Sequence, residues 1–361
     1  MKQYVILVAG YDYANSGVDF CNMASNRKNF LLRQNPSWRD DPEVVFVRFD
    51  TKSGKIERNL SSDRNSWTLE SNNFTPIRRS THYQNNQFVN SENSVLSIED
   101  CYAYVARIGA SEPGTIKECS VLGHGWFDGP ILVNSFQRSE YNTGANSGLR
   151  DPWDKDGRAK DFQSSNMDEA EWANFRNAFM SDGYCWIWGC LFPRAYYNTL
   201  YYVIRSAAYR SKSLGSHTDT DTFTITVSQD FANSHFTSDP QFFPATTSER
   251  TFIRSLRDLK MFVKRGIIRC YPGRFAGDNG ITCRAAYLGV YSDYERAGRG
   301  ISSSETTMII PRNRTTYGID FSDIINFYKT YVGCEEEPEN RGYAVYTNAQ
   351  IRNWWTEVYG S

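Results

Sequence analysis

The apolar residues of this chain fall into short continuous runs separated by long polar stretches. Tyr4–Ala9 is apolar without alternation, which predicts a strand covered on both faces, as in a parallel sheet. A polar loop, residues 10–17, follows directly. From Asp19 to Arg33, Phe20, Met23, Phe30 and Leu31 are spaced as one helix face, and Val44–Phe49 restores the strand pattern, so the chain opens with a βαβ unit. Residues 51–95 are rich in Ser, Asn, Arg and Thr and read as an irregular excursion with a hairpin at Ser53-Gly54. Ser97 with Asp100 three residues later is a capping-box start, and Cys101, Tyr104, Val105 and Ile108 supply that helix's stripe.

Ile116–Leu122 predicts the next strand, ending in Gly123-His124-Gly125. The polar segment 134–165 is too long for an ordinary connection and reads as a lid or a mobile insertion. A helix then runs from about 166 to Met180, with Asp168 and Glu169 suited to its dipole. Gly183–Gly189 predicts a fourth strand, with Cys190 immediately after it. Downstream the pattern predicts a helix over 195–208, a strand over 221–227, a helical stripe over 250–265 and strands at 285–291 and 308–310. Glu335–Glu339 reads as a solvated loop, and the chain ends in an aromatic helix around Trp354-Trp355. The fold class expected is α/β with a mostly parallel central sheet. Residues 1–230 would form the core, carrying the insertion at 134–165, and 231–361 a C-terminal part that completes or extends it.

Composition narrows the function. The 40 basic and 41 acidic side chains give a formal charge of -1, and no run of five Lys/Arg occurs, so general nucleic-acid or anionic-membrane binding is not expected. No apolar stretch reaches 18 residues, so no membrane span is expected either. The N-terminal apolar run is shorter than a signal peptide's, which predicts a cytoplasmic protein, or one exported without such a signal. Eight scattered cysteines without a C-x-x-C pair are not a disulfide framework. The four histidines do not stand at zinc-ligand spacings with them, and Gly298-Arg299-Gly300 is not a phosphate loop, so neither metal nor cofactor is implied. His217 and His235 lie in Ser/Thr-rich segments and read as surface residues.

Helices between successive strands imply parallel pairing, and such sheets bind ligands outside the carboxyl ends of their strands. If the strands ending at His124 and Cys190 are neighbours, a thiol and an imidazole emerge at one edge about 5 to 7 Å apart, from a strand spacing of about 4.8 Å. That pair suits a nucleophile and its proton shuttle. Gly125 and Gly189 would let a peptide carbonyl approach the main chain, and the N–H groups of Gly125 and Cys190 would form an oxyanion hole. The bland readings are a hydrogen-bonded structural His124 and a Cys190 that acts as a small buried hydrophobe, as Cys185 in the same strand does. Asp128-Gly129 reads first as a turn, and Ser292–Glu295 as a segment able to bring a carboxylate to the same edge.

The runs Ser120–Gly125 (SVLGHG) and Trp186–Cys190 (WIWGC), an apolar strand ending in His-Gly and another ending in Cys with a helix between, resemble the caspase-like cysteine peptidases. The resemblance covers about residues 1–230. It implies a three-layer α/β/α sandwich with a C-terminal extension, a His124/Cys190 dyad, an acyl-enzyme, a peptide or protein substrate and no metal or cofactor. It implies further that Asp12, in the loop after the first strand, would favour Lys or Arg in the substrate, with Trp126, Asp128 and Trp188 as further substrate-binding candidates. The 66 residues from His124 to Cys190 and the Gly before the nucleophile mark a divergent member. Two alternatives remain: a catalytically inactive scaffold or interaction module, and a bacterial or phage effector toxin using the same dyad.

Overall fold

Tyr4–Ala9, almost wholly buried, lies within the central strand of a mixed sheet in the computed structural model, which describes residues 2–13, 20–89, 94–296, 306–311 and 321–360. The residues 14–19 at the helix start and Gly298-Arg299-Gly300 lie outside that set. Numbering only this sheet's strands in chain order, they are β1 (Gln3–Ala9), β2 (Val44–Asp50), β3 (Lys55–Asn59), β4 (Thr68–Ser71), β5 (Ile116–Leu122), β6 (Phe179–Ile187), β7 (Thr282–Ala285), β8 (Glu335–Glu336) and β9 (Ala344–Tyr346). Among the described residues the sheet has nine strands, in the order β8-β9-β7-β6-β5-β1-β2-β3-β4. The central five, β7-β6-β5-β1-β2, are parallel, and the strands outside them are antiparallel. Strands before residue 190 and after residue 280 thus share one sheet.

Helices pack on this sheet: α1 (Phe20–Gln34), α2 (Ile98–Ser111), α3 (Glu169–Asn177), α4 (Arg194–Arg205), α5 (Leu256–Arg269), α6 (Tyr271–Asn279) and α7 (Asn348–Tyr359). The capping box at Ser97 forms as the sequence predicts, Ser97 and Asp100 exchanging side-chain and main-chain hydrogen bonds. Strand alternation sorts the packing. Glu118 and Ser120 of β5 and Tyr184 and Trp186 of β6 share a face, where the buried Arg27 of α1 pairs with Glu118 at 2.7 Å and lies 4.9 Å from the Trp186 ring. Cys119, Cys185 and Cys283 stand in register across β5, β6 and β7 on the opposite face. There Tyr102 of α2, Phe175 of α3 and Tyr271 and Phe275 of α6 gather round Phe162.

Several elements differ from the sequence expectation for identifiable reasons. The excursion at 51–95 contributes β3 and β4, held by cross-strand ion pairs, Arg48–Glu57 at 2.6 Å and Arg58–Glu70 at 2.7 Å; charge pairing replaces the aliphatic pattern that marks strands. The run 285–291 belongs to β7 only at its start. Its remaining apolar residues fill a buried turn with Gly289 at φ +86°. Residues 250–265 begin as a strand, Thr251–Ser255 paired with Thr222–Thr226, before α5. The acidic patch is not a solvated loop: Glu335 and Glu336 form edge strand β8, Glu337 is buried, and Glu339 binds Arg27 at 2.6 Å, because a buried guanidinium needs carboxylate partners. His217 is likewise buried, stacked on Tyr209 and bonded to its carbonyl at 2.9 Å. His235 is half-buried, and burial lowers its pKa. Among the described residues no helix is long and apolar enough to cross a membrane.

Candidate active site

The chain steps from β1 to β2 in one direction and from β5 through β6 to β7 in the other. The order reverses between β1 and β5, where open α/β sheets bind their ligands. Asp12 follows β1 and His124 follows β5, so both rise at this reversal, and Cys190 rises beside them after β6. The two glycines are the reason the strand ends meet. A methyl group on Gly189 would stand 2.8 Å from the His124 carbonyl carbon and 2.7 Å from the Gly125 nitrogen, and one on Gly125 would stand 2.8 Å from the Cys190 oxygen. His124-Gly125 and Gly189-Cys190 are therefore in direct main-chain contact. The sequence reading assigned these glycines to substrate approach; their observed neighbours are each other.

Around His124 the side chains are mostly aromatic. Its ring lies 5.0 Å from that of Tyr13 and 5.8 Å from that of Phe20, and its Nε2 stands 3.5 Å from Asp12 Oδ1. The short loop after β1 thus brings a carboxylate and a ring beside one imidazole. Tyr13, which the sequence reading passed over, also feels Cys190. Burial first, then Asp156, Asp12 and Cys190, raises its phenol pKa. Its only signal in the sequence is an aromatic residue directly after the strand-end carboxylate.

Cys190 is half-buried, and its Sγ accepts the Ser292 main-chain N–H at 3.2 Å. Leu191 bridges to Val290 just beyond it, and the Ser292 hydroxyl donates to the Gly189 carbonyl at 2.9 Å. The thiol also donates to the Ser292 carbonyl at 3.6 Å, so one residue's main chain holds the sulfur as both donor and acceptor. The segment flagged for a carboxylate at this edge thus contributes a main-chain donor to the thiol.

The remaining candidates are dispersed. Trp126 is 46% exposed, with the Arg158 guanidinium 5.8 Å from its ring, and is open to a ligand. Asp128, at the turn of the hairpin His124–Trp126/Gly129–Ile131, lines a separate polar cavity with Lys160 and Arg269. Trp188 does not line the edge: it is wholly buried, stacked on Trp186 at 4.1 Å, and its Nε1 donates to Ser120 at 3.0 Å. Its position after β6 gives it the alternation of the strand, which points the ring into the core.

The polar segment 134–165 is anchored by buried charge. Asp156 accepts the N–H groups of Leu132 (2.7 Å), Val133 (2.9 Å) and Ser135 (2.6 Å); Arg158 pairs with Asp154 at 2.5 Å, and Arg150 with Asp161. Desolvation raises the carboxyl pKa of Asp156 and of Asp161. This network fixes residues 132–135, and the Leu132 carbonyl in turn accepts the Tyr11 N–H at 2.7 Å, one residue before Asp12. Among the described residues no group of three or more His, Cys, Asp or Glu is arranged to hold a metal ion. Comparison with family models, with curated proteins and with solved structures found no match.

Proposed function

We propose that this protein is a cysteine hydrolase, an endopeptidase built on a caspase-like α/β/α sandwich, with Cys190 as nucleophile and His124 as proton carrier. The observation that carries this reading is the main-chain contact between His124-Gly125 and Gly189-Cys190 at the carboxyl edge of two neighbouring parallel strands. The reversal of strand order beside it adds support.

In this reading the Cys190 proton passes to His124 as sulfur attacks the substrate carbonyl carbon. The tetrahedral oxyanion is received by the N–H groups of Gly125 and Cys190. His124 then protonates the departing amine, leaving a thioester on Cys190. Water, deprotonated by His124, releases the acid and restores the thiol. Asp12, assigned from the resemblance to recognition of Lys or Arg, lies against the imidazole, where a carboxylate fixes ring orientation. Trp126 is the candidate left to contact substrate at the surface.

Replacing Cys190 by Ala should abolish both cleavage of a fluorogenic peptide library and labelling by a thiol-directed peptide probe, with unfolding behaviour unchanged. Turnover retained in that variant overturns the proposal. A wild-type Cys190 that reacts no faster than a free thiol, with no peptide cleaved, favours the inactive scaffold instead.

A further inference from the structure

A second site lies away from the strand ends. Between the anchored segment 134–165 and the junction of α5 with α6 is a cavity of about 360 Å³, within the roughly 300–1,000 Å³ range of small-molecule sites. Its chemistry is lopsided toward donors. Among the described residues the Lys160 ammonium donates to main-chain carbonyls alone, those of Tyr141 at 2.6 Å and Ser147 at 3.5 Å. Arg269, exposed at the end of α5, has no carboxylate partner among the described residues. Arg274 reaches the cavity while paired with Asp278 at 2.9 Å. Gln137, on the opposite wall, is only 8% exposed, yet its Nε2 has no hydrogen-bond partner. A buried donor left unmet is costly and points to an absent acceptor.

We propose that this cavity binds a phosphate monoester of a small hydroxylated molecule, with the phosphoryl group held by Lys160 and Arg269 and the Gln137 amide turning its buried Nε2 toward a phosphoryl oxygen when the ligand enters. With Arg274 neutralised by Asp278, Lys160 and Arg269 face the one carboxylate of Asp128, a net charge of about +1 that favours an anion such as a phosphoryl group of about −1.5 to −2 at neutral pH. Guanidinium groups also suit tetrahedral oxyanions through paired N–H donors. Asp128, whose Oδ1 already accepts the Ala159 N–H at 3.1 Å, is the acceptor for a ligand hydroxyl. A phosphate ester therefore satisfies the cationic donors and the Asp128 carboxylate together. The proposal is independent of peptidase activity.

Isothermal titration calorimetry of the whole protein with ribose 5-phosphate and glucose 6-phosphate tests it, with ribose, glucose, inorganic phosphate and succinate as controls. Saturable binding of at least one sugar phosphate is expected, with inorganic phosphate weaker and both free sugars silent. Arg269→Ala and Lys160→Ala should each weaken binding by about tenfold or more, the size of a lost hydrogen bond to a charged group. Gln137→Met should raise the melting temperature of the unligated protein while weakening binding, a combination that a purely structural glutamine would not give. No saturable heat from either ester, or equal affinity in Arg269→Ala, overturns the site; because Arg269 is exposed, that variant keeps its fold. Succinate binding as tightly as the esters overturns the phosphoryl assignment.

Discussion

Substituting Gly189 with Ala tests the contact on which the candidate site depends. The added methyl would lie 2.7 Å from the Gly125 nitrogen, 2.8 Å from the His124 carbonyl carbon and 2.9 Å from the Gly125 Cα. Carbon contacts settle at about 3.5 Å or more, so the two strand ends must part by about 0.7 Å. Every one of these neighbours is main chain, and none can swing aside as a side chain would. Overpacking of this kind costs about 1–3 kcal/mol. A displacement near 1 Å at reacting groups costs about a hundredfold in rate. Urea unfolding and the rate of Cys190 labelling by a peptide probe read the two effects separately. Gly148→Ala, where a methyl meets nothing within 4 Å, is the control and should stay within about 0.5 kcal/mol of the parent. A Gly189→Ala protein with the parent's stability and labelling rate would refute the main-chain contact and, with it, the geometry assigned to the dyad.

Other outcomes follow from the buried polar groups. Arg27→Met strands Glu118 in the core and should cost about 3–5 kcal/mol by urea unfolding, and the double change with Glu118→Leu should recover much of that loss. Asp156→Ala removes the acceptor of three main-chain N–H groups, at about 1–3 kcal/mol for each one left buried; limited proteolysis should then cut within 134–165, and an uncut segment would contradict the anchoring. Burial pushes the Asp278 carboxyl up to about 6 from 3.8. The folded state therefore holds this proton more tightly than the unfolded chain, so stability contributed at low pH is lost as pH rises from about 4 to about 6. With solvent screening the change is about 1 kcal/mol, and Asp278→Asn should flatten that part of a stability-versus-pH curve. Ser97→Ala should cost about 1 kcal/mol through the lost cap, read as a lower denaturation midpoint.

The parallel centre was legible because its strands are buried on both faces and cannot hide their apolar runs: Tyr4–Ala9, Val44–Phe49 and Ile116–Leu122 all lie in the strands they predicted. The capping box at Ser97 was legible because it is purely local. What escaped was structure made by charge. β3 and β4 carry Arg and Glu side chains that pair across strands, and Glu339, just beyond β8, pairs with Arg27 from the far end of the chain; hydropathy assigns such residues to solvent. Within the candidate site, His124 and Cys190 could be found from strand-end placement, and their strands do neighbour each other. Trp188 could not be oriented without knowing where alternation continues past β6. Tyr13 and the Ser292 main chain were invisible, because one is a loop aromatic and the other contributes no side chain to the thiol.

The row of Cys119, Cys185 and Cys283 across three strands makes the protein its own clock for opening. Six of the eight thiols are buried, while Cys21 and Cys190 are half-buried. A small thiol reagent should therefore modify two groups quickly in the native state. The sealed six would follow at a rate slowed by the free energy of exposing them, on the order of 10³-fold or more for a domain of ordinary stability. The slow phase then measures how often the sheet comes apart, and the fast phase, counted before and after Cys190 is blocked, isolates the one thiol at the strand ends.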